Sequence, residues 1–232
     1  GLSAYLPIRF VLPAVVGLYL VFRLLADRSL LRVHGHGLLL FVIALLIAVM
    51  PLAVYFQRHP TMLLARASQA SVQQDIDRAG SVQPLKDNIR KAFGMFNYEG
   101  DPRARHNLPL APMLDPVTGV FFVLGAGYAL LRLRKPEYAI LLAWLVFGVI
   151  PGVMSLADSN PHSMRTIANI PAVCLLTALS ADRAWTFVHT KYGRSGAQVL
   201  LPIEIVLSMA ALGINIVTYF NRQAAERSVY YD

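Results

Sequence analysis

Two short stretches hold most of the side chains that could do chemistry. "EGDPRARHN" (99–107) supplies Asp101, Arg103, Arg105, His106 and Asn107, and "PHSMR" (161–165) adds His162, Ser163 and Arg165. A third, looser group is "FQRHP" running into "LLARAS", with Arg58, His59 and Arg66. A guanidinium is a planar fork of donors that fits a pair of phosphate oxygens. At the start of a helix, free backbone N–H groups and the helix dipole would add to Arg165's pull on an anion. The plainer reading makes Arg165 a rim arginine reaching the headgroups and Ser163 a helix cap. His59 and His162 could shuttle protons or donate to a headgroup, or simply sit solvated at an interface. Arg66 fits a surface helix touching anionic lipid. Asp101 could be a reactive carboxylate, or the turn former of "GDP".

Other chemistries lack their residues. There is no Ser-His-Asp set, phosphate-cradling glycine loop or paired-carboxylate motif. His34 and His36 of "HGH" have no third ligand nearby, so no metal site and no cofactor is expected. Cys174 is the lone cysteine; it cannot form an intramolecular disulfide and reads as a packing residue in "PAVCLLTAL".

The elements that must position these residues follow from composition. The chain of 232 residues is 56% apolar and only 15% charged, with a mean hydropathy of +0.52. A soluble domain rarely carries so little charge. Several runs approach the ~20 apolar residues that cross a bilayer. The expected fold is therefore all-α, a polytopic membrane protein of about six transmembrane helices. The runs are Leu6–Leu25, Leu38–Tyr55, Val117–Leu131, Tyr138–Ser155, Ile167–Leu179 and Val199–Phe220. The net charge of +8 falls in short loops, where retention of positive charge on the cytoplasmic side explains it. No basic face or motif for nucleic acid accompanies it.

Residues 23–36, 132–137 and 182–196 are the short basic loops, which puts them in the cytoplasm and both chain ends outside. Three regions result: 1–56 with two transmembrane helices, a long extracytoplasmic loop at 57–115, and 116–232 with four transmembrane helices and a tail. Within the loop, Leu63, Leu64, Ala67, Ala70 and Ser71 have helical spacing. Leu85, Ile89, Phe93 and Phe96 do too, opposite Lys86, Arg90 and Lys91. Both segments are expected to be amphipathic helices on the membrane surface. "NYEGDPRARHNLPLAPMLDP" reads as an ordered, turn-rich connection.

The order of the pieces carries a resemblance. "MPLAVYFQRHPTMLLARASQ", "MFNYEGDPRARHNLPLAPMLDPVTGVFFVLG", "LLAWLVFGVIPGVMS" and "PHSMRTIANIPAV" follow one another. This string resembles the C-terminal half of bacterial GT-C glycosyltransferases that use polyprenyl-phosphate sugars, the group of protein O-mannosyltransferases and the lipid A aminoarabinose transferase. The resemblance implies an inner-membrane enzyme that moves a sugar from a polyprenyl phosphate to an extracytoplasmic acceptor, with membrane lipids around it. It implies donor-phosphate contacts at Arg165, His162, Arg66 and His59, and an acceptor cleft shaped by Arg103, His106 and Asp101. The family's acidic base lies in a first extracytoplasmic loop that matches nothing here, so no catalytic residue is assigned. With Gly1 in the first position, the expectation is a piece of a longer or processed chain, partnered by its own N-terminal part. The competing expectation is a non-catalytic membrane subunit that scaffolds a larger complex. An upstream pair of acidic residues would separate the two.

Overall fold

Proline and aspartate set where the first well-packed helix begins. In a computed structural model that describes residues 15–21, 29–59 and 71–226, Asp115 is the N-cap of a helix over Pro116–Leu131. Its Oδ1 accepts from the backbone N–H groups of Val117 and Thr118, both at 3.0 Å. Pro116 costs nothing there, because a first-turn N–H has no helical partner anyway. The same logic starts Pro136–Val153 at Pro136 and the long helix Ile170–Val217 near Pro171.

In chain order the helices are α1 (Ser29–Arg58), α2 (Val72–Ala79), α3 (Gln83–Gly94), α4 (Pro116–Leu131), α5 (Pro136–Val153) and α6 (Ile170–Val217). Residues 15–21 are also helical. Short 3₁₀ turns cover Ala157–Ser159, Ser163–Arg165 and Ile167–Asn169, and a π turn, Thr218–Gln223, ends α6. The described residues contain no strand, only an isolated bridge between Ser71 and Ser155. Among the described residues, two helices are long and apolar enough to cross a membrane: Pro136–Val153 and the continuous stretch Ile167–Gln223. Pro116–Leu131 is apolar but shorter.

Helix α6 is not one straight rod. Gly193 interrupts it at φ 62°, ψ −149°, a conformation open to glycine and costly for other residues. Residues on both sides of this break, Cys174 and Thr177 before it and Glu204 and Ala211 after it, line one cavity with Thr118 of α4. Asn215 donates to the Asp115 cap at 2.9 Å. The chain thus doubles back at Gly193 and lays both arms against α4. Residues 182–196, expected as a loop, are helical apart from this one glycine. The expected reversal is made by this single residue with positive φ.

The core lies among α3, α4, α5 and the first arm of α6, where Ala92, Phe122, Val149, Ala172 and Leu176 pack together. Gly125 has no room for a β-carbon because the backbone carbonyl of Leu176 sits against it. Small residues at such crossings let helix backbones approach closely. Outward faces remain apolar: Leu131 is 88% exposed, and Val206 and Phe220 are also exposed.

Two expectations about the long loop change. Ser71 is not on a helix face; it is the N-cap of α2, accepting from Gln73 N–H. In α3 the buried side is Asn88 and Ala92, followed by Met95 and Phe96, while Ile89 and Phe93 are about 40% exposed (43% and 42%). The reason is polar. Asn88 Nδ2 donates to the carbonyls of Val153 (2.9 Å) and Ser155 (2.7 Å), which the end of α5 leaves open. Meeting that need turns α3 away from its most apolar stripe. The expected helix around Leu63–Ala70 and most of the expected first span lie outside the described residues, as does Arg66.

Candidate functional site

The turn-rich loop after α3 and the segment between α5 and α6 meet at one end of the helices. Asn160 Nδ2 donates to the Asn88 carbonyl at 2.8 Å. Asp75 accepts from the Ala157 N–H at 2.8 Å. These bonds fix the chain just before "PHSMR", and the closing contact is made by Asp101.

Asp101 is fully buried and every contact it makes is with a donor. Oδ1 accepts from the Arg103 backbone N–H at 3.0 Å and from Arg103 Nη1 at 3.2 Å. Oδ2 accepts from the Ser163 backbone N–H at 2.8 Å and its hydroxyl at 2.9 Å. His106 Nδ1 lies 3.0 Å from Oδ2, and His162 Nδ1 lies 3.8 Å away. The contact with Arg103 N–H is the local turn bonding that "GDP" suggested. The bonds to Ser163 are long-range and were not legible. Burial favours the protonated acid, but the hydrogen bonds from Ser163 and Arg103 outweigh it and hold the carboxyl below its ordinary value.

The cations gather around this carboxylate. The His106 and His162 rings stand 5.0 Å apart at 31°. His162 is pushed down to about 4, first by burial, then by the charges of Arg103 and Arg165, with Asp101 pulling the other way. Arg165 is also lowered, by burial and by the neighbouring Arg103 charge. Among the described residues, His162 Nδ1 and Arg165 Nη1 are buried here without a hydrogen-bond partner. A guanidinium nitrogen in that state has lost water and gained nothing in return.

Asp101, His106 and His162 offer ligand atoms within 4.8 Å of one another, a spacing that a divalent cation could use. The charges argue against it. One carboxylate faces two guanidiniums, and its Oδ2 is already surrounded by donors. A cluster with surplus positive charge and an unpaired buried donor suits an anion.

Of the residues singled out from sequence, Asp101, Arg103, His106, His162 and Arg165 come together. His59 does not join their hydrogen bonds; it is exposed beyond α1, its ring 4.8 Å from Tyr55. Arg66 is outside the described residues. Arg165 does not open a helix: it ends the 3₁₀ turn Ser163–Arg165, and α6 begins only at Ile170. The helix-dipole argument for it therefore falls away. Ser163 caps no helix; its N–H and hydroxyl are spent on Asp101, which is why the chain turns there. Asn88 and Asn160, which position the segment, went unremarked in the sequence. The available signal was an asparagine on the helical repeat Leu85–Asn88–Ala92, where a core position would be apolar.

Beside the cluster lies a cavity of about 380 Å³. Its lining includes Arg105, His106 and Ser163 together with the apolar Ile167, Ile170, Val173, Cys174, Phe96 and Met113. It thus combines a few polar side chains with a mostly apolar lining. No family model, no curated protein and no solved structure matches this chain.

Proposed function

We propose that this chain is the donor-binding part of a multi-pass membrane glycosyltransferase of the GT-C type. The donor is a sugar on a polyprenyl phosphate, and the acceptor lies on the extracytoplasmic side. One observation carries the reading: among the described residues Arg165 Nη1 is buried without a hydrogen-bond partner, in a cluster whose His106 and Ser163 also line a largely apolar cavity. A lipid phosphate has the matching shape, an anion with a hydrocarbon tail. As the sugar leaves, the bridging oxygen gains negative charge, and fixed cations in a dry site stabilise that change. About six spans in the inner membrane, with the Asp101 cluster outside and Gly193 inside, complete the reading. The orientation rests on the basic residues near the Gly193 end, where Arg132 and Arg183 lie over Tyr128 at 4.7 and 5.6 Å.

The competing reading is a non-catalytic scaffold subunit. It is favoured by Asp101, whose oxygens are all engaged by protein donors, as in a structural hub. Binding of undecaprenyl phosphate to the purified protein in nanodiscs separates the two. The transferase reading expects Arg165→Ala to weaken that binding by about 1.5–3 kcal/mol, the scale of a charged hydrogen bond. Unchanged affinity in the variant would favour the scaffold.

A further inference from the structure

A neutral imidazole that donates through one nitrogen has the other left as an acceptor. Asp101 is buried and takes hydrogen bonds only as an acceptor, so His106 must present Nδ1–H to Oδ2 at 3.0 Å. In the neutral ring that leaves Nε2 as the lone-pair nitrogen. Nε2 makes none of the hydrogen bonds that His106 forms among the described residues. The ring lines the cavity described above. Such a nitrogen cannot donate to a phosphate; it accepts from an O–H or N–H. The neighbouring charged or titratable groups are Asp101, Arg103, Arg105, His162 and Arg165. The guanidinium of Arg165 and the lone pair of His106 thus want opposite partners, an anion for one and a hydrogen-bond donor for the other.

We propose that His106 is a proton acceptor, oriented by Asp101, for the hydroxyl or amine that receives the sugar. The inference rests on the transferase reading and deepens it. In the step, the acceptor's O–H or N–H bond breaks and its proton moves to Nε2. The freed electron pair forms the new bond to the sugar's anomeric carbon. The bond from that carbon to the phosphate oxygen breaks, and its electron pair leaves with the phosphate beside Arg165. The imidazolium then returns the proton to water. Resemblance assigns this task to a carboxylate that nothing in this sequence matches; the Asp101–His106 pair is a different solution, drawn from geometry.

The test is carbethoxylation by diethyl pyrocarbonate, followed residue by residue by mass spectrometry on the purified full chain. His106 is expected to react faster than His162 at neutral pH. Asp101→Asn should slow His106 about tenfold, the loss of roughly one charge-assisted hydrogen bond that orients the ring. Unfolding would expose the ring and speed the reaction, so a fall cannot come from a damaged fold. Ser163→Ala removes one hydrogen bond to Asp101 but keeps the pair, and should leave the rate within about twofold. An unreactive His106, or equal slowing by both variants, would overturn the proposal. Undecaprenyl phosphate binding, measured on the same samples, keeps the two claims apart. His106→Gln should retain binding that Arg165→Ala loses; a His106→Gln protein that loses it would make the ring an anion contact and refute the proton-accepting role. If the wild-type protein binds none, the transferase reading fails on that result, while the carbethoxylation rates still decide whether the imidazole is oriented.

Discussion

Removing a carboxylate from water favours its neutral form, and Asp101 stays on the acidic side of its usual range because two chain segments supply donors to it. The linkage has a definite sign. With a folded-state value below the unfolded one, Asp101's contribution is complete above the unfolded value, near 3.8. It is lost as pH falls through the lower folded value. His162 behaves likewise over a higher window: its folded value of about 4 lies below the ordinary 6.5. Protonation therefore favours the unfolded chain, and stability should decline as pH drops from 6.5 towards 4. Thermal melts of His162→Gln in detergent should be flatter across that window than those of the wild type. Equal slopes would mean that the ring is not held neutral. At neutral pH, Asp101→Asn should cost about 3 kcal/mol, because it leaves buried donors facing an amide in place of a charge.

The helices meet where side chains are missing, and substitutions there test the packing directly. Gly125 faces the Leu176 carbonyl, and Gly148 faces the Asn169 amide. Backbone cannot yield as a side chain can. Gly125→Ala should therefore destabilise by about 1–3 kcal/mol, more than Gly148→Ala, as overpacking does. Gly127→Ala, with nothing near its β-carbon, should be close to neutral in the same melts. Helix positions were largely legible, since Pro116, Pro136 and Pro171 mark starts and the apolar runs mark extents. The rotation of α3 was not. A hydrophobic stripe predicts the buried face only when no polar demand competes, and the open carbonyls of Val153 and Ser155 create one that Asn88 answers. Sequence shows Asn88 but not the carbonyls that it will meet.

Across the whole molecule, the cationic cluster and the Gly193 turn stand at opposite ends of the helices that join them. The residues of the cluster were readable as "EGDPRARHN" and "PHSMR", because Gly, Pro and Asp announce ordered turns. That Asp101 ties the two stretches together was not readable, since nothing local encodes a contact 62 positions apart. Orientation is a separate matter. In a Cys174→Ser background, cysteines at positions 103 and 194 should react with an impermeant thiol reagent from outside and inside the cell, respectively; the reverse pattern would invert the topology. The most direct measurement compares the affinities of undecaprenyl phosphate and undecaprenol for the wild-type protein and for Arg165→Ala. An anion-docking rim predicts that the wild type prefers the phosphate at least tenfold, roughly 1.4 kcal/mol, and that the variant loses this preference while keeping its affinity for the alcohol. Equal affinity of the wild type for both lipids would contradict it.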